Sequence, residues 1–466
     1  MRALLILILF IPFFGRSQDF QFDKQWQYLG PDSMPYTDGF VSSAGIGPVE
    51  FIRVHPKKQG WMLAGSLHGG LFYSKDGSES WVNAGSDNWP YSACCWADFH
   101  PSEENTWFAV SNVNGANGKP GKISRDGGLF RTKDGGIKWD RIASHRTFGA
   151  ESFTIFGTRF HPEKSNTLFL LTSTGVYYTD DCTAGTPQWK YLESTKGWAY
   201  DMDFLDGRIY VSNLYKGTWS VISLDQNSLA DKKVHEKAFS AKDDLRGVTF
   251  EPIKDRLLVL VDQKKRVDQI WDYHPGTDSS YIYLTNQKVN FGHGHTFAVN
   301  PHNEEEIFIG SSTRAKRYSY PEGDQMRFKG KYHVDIEFAS YDPFDTSTIY
   351  MATHGGVYVS RDKAESWTNK SVGLGVAEVM GMAVSNSDPN QVVIGCFHDG
   401  SSVLADWDKN GQYYWRNVNG GDALIPLIDP TDNALVYTSN QYVGGGIYYS
   451  SDTAKSVQNI HKLNGQ

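Results

Sequence analysis

Apolar residues along the chain fall in short runs, separated every few positions by Gly, Ser, Thr, Asp or Asn. One phrase recurs: an apolar run ending in x-Pro, a polar turn, a second run, a Gly-rich turn, a third run, another polar turn and then Trp. Its clearest copy is Arg53 to Trp81. Others end at Trp139 and Trp367, and weaker copies begin near Phe160, Phe204, Phe250, Val299, Ser385 and Ile428. The landmarks are Pro56, Pro101, Pro162, Pro252, Pro301, Pro343, Pro389 and Pro430, with Asp206-Gly207 in the copy that lacks Pro. Each copy reads as four short β-strands joined by tight turns. No heptad stretch supports a long helix.

A four-stranded unit cannot bury both its faces alone, but units stacked around an axis bury one another. A row of sandwich domains would need units about twice as long, of ~100 residues, with linkers between them. The expectation is therefore an all-β chain, a single β-propeller of about nine (eight to ten) four-stranded blades over residues 18–466. Trp26 is expected to lie near the last blade and close the ring.

The composition supports a large core: aromatics make up 14% of the 466 residues. A net charge of −8 with scattered Lys and Arg excludes nucleic acid as the main partner. Residues 1–17 combine Arg2, an apolar Leu4-to-Phe14 stretch and small residues at Gly15 and Ser17. They read as a signal peptide, too short for a membrane span, so the expectation is export to the periplasm or beyond. The four cysteines, Cys94, Cys95, Cys182 and Cys396, are too few for a disulfide framework.

The turn before the Trp has its own signature: Ser74-x-Asp76-Gly, Thr132-x-Asp134-Gly and Ser360-x-Asp362, with a copy at Ser450-x-Asp452 that lacks the Trp. An Asp in such a turn accepts bonds from backbone N–H groups further on, a structural role. The motif resembles the Asp-box of BNR repeats, and the chain resembles the Asp-box propellers of the sortilin (VPS10) and GH74 xyloglucanase group. The resemblance is clearest at His333-Val334-Asp335, Thr353-His354-Gly355-Gly356, Phe397-His398-Asp399-Gly400 and Gly420-Gly421-Asp422. GH74 enzymes resembling this repeat place catalytic Asp residues at inner turns of two propellers. Here the matching turns carry His68 and His354, and the repeats read as one ring.

Channel-facing strand starts and inner turns gather the candidate chemistry. They bring forward His68, His293, His295, His333, His354 and His398 as an acid/base group. Asp335 would orient an imidazole and Tyr200 would donate a proton. Arg246, Arg314, Glu50 and Asp422 would bind substrate. No motif requires a cofactor, although the same imidazoles suit a metal ion. Imidazole base, Tyr acid and Arg partner together point to a lyase or dehydratase acting on uronate-containing oligosaccharides or polysaccharides. Two readings stand beside it. One is a non-catalytic propeller that binds a glycan or protein. The other is a glycoside hydrolase with a carboxylate pair drawn from Glu50, Asp335, Glu378 and Asp422.

Overall fold

The computed structural model describes residues 28–33, 45–111, 127–149, 153–239, 245–263, 268–287, 296–310, 315–320, 324–327, 332–399, 401–407, 413–419, 421–441 and 446–460. Among them are nine four-stranded antiparallel sheets, spanning 51–83, 96–143, 155–192, 198–235, 245–287, 297–327, 336–369, 378–417 and 427–459. Within each sheet, hydrogen-bonded neighbours are also sequence neighbours, as short turns dictate. In the first sheet Phe51 faces Gly65 and Val54 faces Met62, and Met62 then faces Ser74.

The recurring Ser/Thr-x-Asp turns explain why the third strand turns back so sharply. The Asp76 carboxylate accepts bonds from the Ser74 hydroxyl at 2.8 Å, the Ser80 N–H at 3.0 Å and the Ser80 hydroxyl at 2.6 Å. Asp134 accepts from the N–H groups of Ile137 and Lys138, and Asp362 from the Ser366 N–H at 2.9 Å. The Trp that follows leaves its own sheet. The Trp81 indole donates to the Lys370 carbonyl at 2.7 Å, and the Trp139 indole to the Ala84 carbonyl at 2.6 Å. Trp367 packs on Phe308 and Tyr332. Each Trp thus covers the preceding sheet, and for the first sheet the preceding one is the seventh.

The sheets do not join in the way the repeats alone suggest. The leading strands of sheets one to seven touch in succession, and the seventh returns to the first. The Val49 N–H donates to the Thr353 carbonyl at 3.0 Å, and Gly47 bridges Gly355. A single hydrophobic core runs through this junction, joining Phe338 and Tyr350 of the seventh sheet to Phe51, Trp96 and Phe108. Burial of each such side chain contributes roughly 1.5–3 kcal/mol. The leading strands of the eighth and ninth sheets touch each other. In the eighth, Met380 and Met382 are exposed. Trp26 and the signal-like segment lie outside the described residues.

Candidate active site between the first, seventh and eighth sheets

Antiparallel hairpins put the start of a sheet's leading strand and the turn after its second strand at the same end. In the first sheet that end carries Glu50 and His68. In the seventh it carries Asp335, Glu337 and His354, and in the eighth Glu378, His398 and Asp399. The three ends meet. Close approach is possible because glycines line the seam: a Cβ on Gly47 would fall 2.0 Å from the Val376 carbonyl oxygen, and one on Gly355 would fall 2.5 Å from His333. Asp335 and His398 both adopt left-handed backbone, with φ of 59° and 64°. This conformation is uncommon outside glycine and concentrates at functional sites.

The side chains form a chain of carboxylates and imidazoles. His68 Nε2 lies 2.9 Å from Glu378 Oε1, so the first sheet reaches across to the eighth. His398 Nε2 lies 4.0 Å from the other Glu378 oxygen. The His398 ring packs edge-on against His354, with centroids 4.4 Å apart. His354 Nε2 is 2.9 Å from Glu337 Oε1, and its Nδ1 is 4.0 Å from Asp335 Oδ2. The His68 and Asp335 side chains reach solvent, whereas Glu337 and Asp399 are buried.

Electrostatics divide the three imidazoles. Burial opposes charge on His354, but the Glu337 hydrogen bond and the carboxylates of Glu337, Glu50 and Asp335 outweigh it and raise its pKa to about 9. The Glu378 hydrogen bond raises that of His68. Burial, followed by the neighbouring charged His354, lowers that of His398. Burial and the nearby Glu378 hold the Asp399 carboxyl well above the ordinary range.

The other expected residues have different fates. His333 is buried, with its ring nitrogens 2.7 Å from the Val334 carbonyl and 3.0 Å from the His398 carbonyl. It ties the seventh sheet to the eighth-sheet turn. Asp422 receives the Gln441 side-chain amide, beside the eighth and ninth sheets. Tyr200 packs on Phe156 and Trp219, and burial with the carboxylates of Asp262, Asp201 and Glu337 drives its hydroxyl well above the ordinary range, so it is a poor proton donor. His293, His295 and Arg314 lie outside the described residues, and Arg246 is described only as part of a strand. Glu337 and Asp399 were not anticipated. The signal for Glu337 is its place at the start of the seventh sheet's leading strand, two residues beyond Asp335. Among the described residues no three His, Cys, Asp or Glu side chains are disposed to hold a metal ion.

No family model matches the chain. It is 20% identical over 374 residues to an oligoxyloglucan-reducing end-specific xyloglucanase of Emericella nidulans, covering 74% of this chain and 42% of that protein. It is 24% identical over 241 residues to a probable enzyme of the same name from Neosartorya fischeri, covering 50% of this chain and 25% of that protein. The chain therefore spans less than half the length of the curated relatives it matches. Among solved structures it is similar to the GH74 enzyme of Niastella koreensis, with a TM-score of 0.56 at 13% identity, covering 90% of this chain and 79% of that one. The fold is that of a β-propeller protein. PorZ, a surface component of the Porphyromonas gingivalis type IX secretion system, shares the fold at TM-score 0.52 and 11% identity, covering 90% of this chain and 52% of that one. These relatives correct the lyase or dehydratase reading. The enzymes the chain resembles in sequence are xyloglucanases, which are hydrolases, and the Tyr200 donor that the elimination chemistry needed is buried among carboxylates.

Proposed function

We propose that the protein is a glycoside hydrolase that cuts a polysaccharide of the xyloglucan class in the cleft between the first and seventh sheets on one side and the eighth on the other. One observation carries this reading: Asp335 and Glu378, carboxylates from separate sheets that both reach solvent, are linked through the packed imidazoles of His354 and His398. Glycoside hydrolysis needs such a pair, one carboxyl to protonate the leaving oxygen and one to activate water or attack the sugar. Glu378, flanked by His68 and His398, takes the base role, and Asp335 is the accessible carboxyl on the facing wall. The imidazoles position these groups and are not themselves the proton donors of an elimination. The reading also takes sheets one to seven as one closed ring with Asp-box turns, the eighth and ninth lying against its cleft end, and residues 1–17 as the export signal. Incubation with xyloglucan oligosaccharides and mass spectrometry of the products tests it: gain of one water per cut is expected, and an unsaturated or unchanged product overturns it.

A further inference from the structure

The leading strands of sheets one to seven also enclose a cavity of about 450 Å³ at the other end of the ring. In the first sheet Glu50 faces the cleft while Arg53 lines this cavity, three residues or ~10 Å further along the strand. We propose that the cavity is a second, non-catalytic saccharide site, sized for one pyranose or the end of a short neutral oligosaccharide. The volume falls in the range of small-molecule sites, ~300–1,000 Å³.

The lining favours a neutral polyol. Its strongest charges already answer one another: Arg53 Nε is 3.4 Å from Asp98, and Arg159, which also donates to the Met202 and Thr158 carbonyls, is 3.0 Å from Asp201. A charged ligand would break that balance, whereas hydroxyl groups can join it. The Arg53 guanidinium lies between the Trp96 and Phe338 rings, at 3.8 and 5.5 Å from their centroids. Its Nε is buried, and its ion pair with Asp98 lacks hydrogen-bond geometry. Across the cavity, burial raises the Asp203 carboxyl to about 6 against the pull of Arg159, and burial with repulsion from Asp203 and Asp201 raises that of Glu251 to about 8, so Glu251 can donate as well as accept near neutral pH. Phe99, Phe160 and Phe338 add apolar surface for the C–H face of a sugar ring. A site that mixes paired polar groups with aromatic surface matches the polar and apolar faces of a pyranose.

The site is independent of hydrolysis in the cleft, and the test separates the two. Glucose, xylose and cellobiose are titrated calorimetrically into the protein and into its Glu378→Gln, Arg53→Gln and Ser340→Trp variants, with acetate and putrescine as charged probes. Ser340 lines the cavity, so Trp there fills it even if Arg53→Gln fails to fold. The expected result is saturable sugar binding that persists in Glu378→Gln and weakens by about tenfold or more in Arg53→Gln and Ser340→Trp. Hydrolysis is expected to be unchanged in Ser340→Trp. The proposal is overturned if no sugar binds, if acetate or putrescine binds more tightly than the sugars, if Ser340→Trp keeps full binding, or if Glu378→Gln alone removes it.

Discussion

The rim and the cleft use the same acidic residue types in opposite ways. On the rim, Asp76, Asp134 and Asp362 sit among hydroxyl and backbone N–H donors. Slight burial opposes ionisation there, but bonds such as those from Ser80 and Ser74 to Asp76 outweigh it and hold these carboxyls below the ordinary range. In the cleft, Asp335, Glu337, Glu378 and Asp399 crowd around imidazoles and few hydroxyls. The consequence appears in the neighbours: His354 is pushed up to about 9 and the Asp399 carboxyl is held well above its ordinary range. A repeated, self-satisfied carboxylate stabilises a turn. Crowded carboxylates from different sheets raise one another's energy, an arrangement that concentrates at functional sites.

The sharpest way to break this contrast is to remove charge from the cleft without removing volume. Glu378→Gln is expected to lower hydrolysis by ~10²–10⁴-fold, the usual weight of a general acid or base. Its melting temperature should stay near that of the parent. Asp335→Asn should fall in the same range. A Glu378→Gln variant with full turnover would remove Glu378 from the mechanism.

The two regions also differ in how far the sequence reveals them. The rim was legible because its information is local: Ser/Thr-x-Asp followed by Trp specifies a turn within eight residues, and Asp76, Asp134 and Asp362 all make the bonds that pattern implies. The four strands of each sheet are legible for the same reason. The cleft was legible in part. His68, His354 and His398 converge because inner turns share one end of their sheets, and register alone places them there. Which sheets meet was not legible. Every copy of the repeat presents the same apolar pattern, so nothing local says that the first sheet docks on the seventh or that His68 reaches Glu378, 310 residues away in sequence. Glycine at positions 47 and 355 made that seam possible. The uronate chemistry is overturned by the xyloglucanase relatives, and the burial of the Tyr200 hydroxyl near Asp262, Asp201 and Glu337 depends on neighbouring sheets that no local pattern names.

The next contrast is in pH. His354 has an ordinary pKa of about 6.5 when unfolded and about 9 when folded. A raised folded value means the charged ring stabilises the protein fully below ~6.5, and that stabilisation is lost as pH rises through about 9. The size is of order 3 kcal/mol. Melting temperatures taken from pH ~6 to ~10 should fall at the alkaline end, and the fall should be smaller in His354→Gln. An equal fall in the variant would assign the loss to other groups. The rim Asp residues run the other way, since their lowered carboxyls lose stabilisation only as pH drops through the acid range.

The smallest expected effect closes the contrast from the rim side. In Asp76→Ala the turn loses the bonds from Ser74 and Ser80, while the solvent-exposed position lets water satisfy the freed N–H group. The cost should therefore be ~1–2 kcal/mol, that of ordinary hydrogen bonds, well short of a buried unpaired group. Trp81 is the side chain at risk, because the same turn delivers its indole to the Lys370 carbonyl and so to the seventh sheet. A denaturant melt should show the midpoint shift with an unchanged slope. Activity per folded molecule should be unchanged, because the Asp76 turn is at the far edge of the sheet from Glu50 and His68. If Asp76→Ala folds with parental stability but loses hydrolysis, the division between a structural rim and a chemical cleft is wrong.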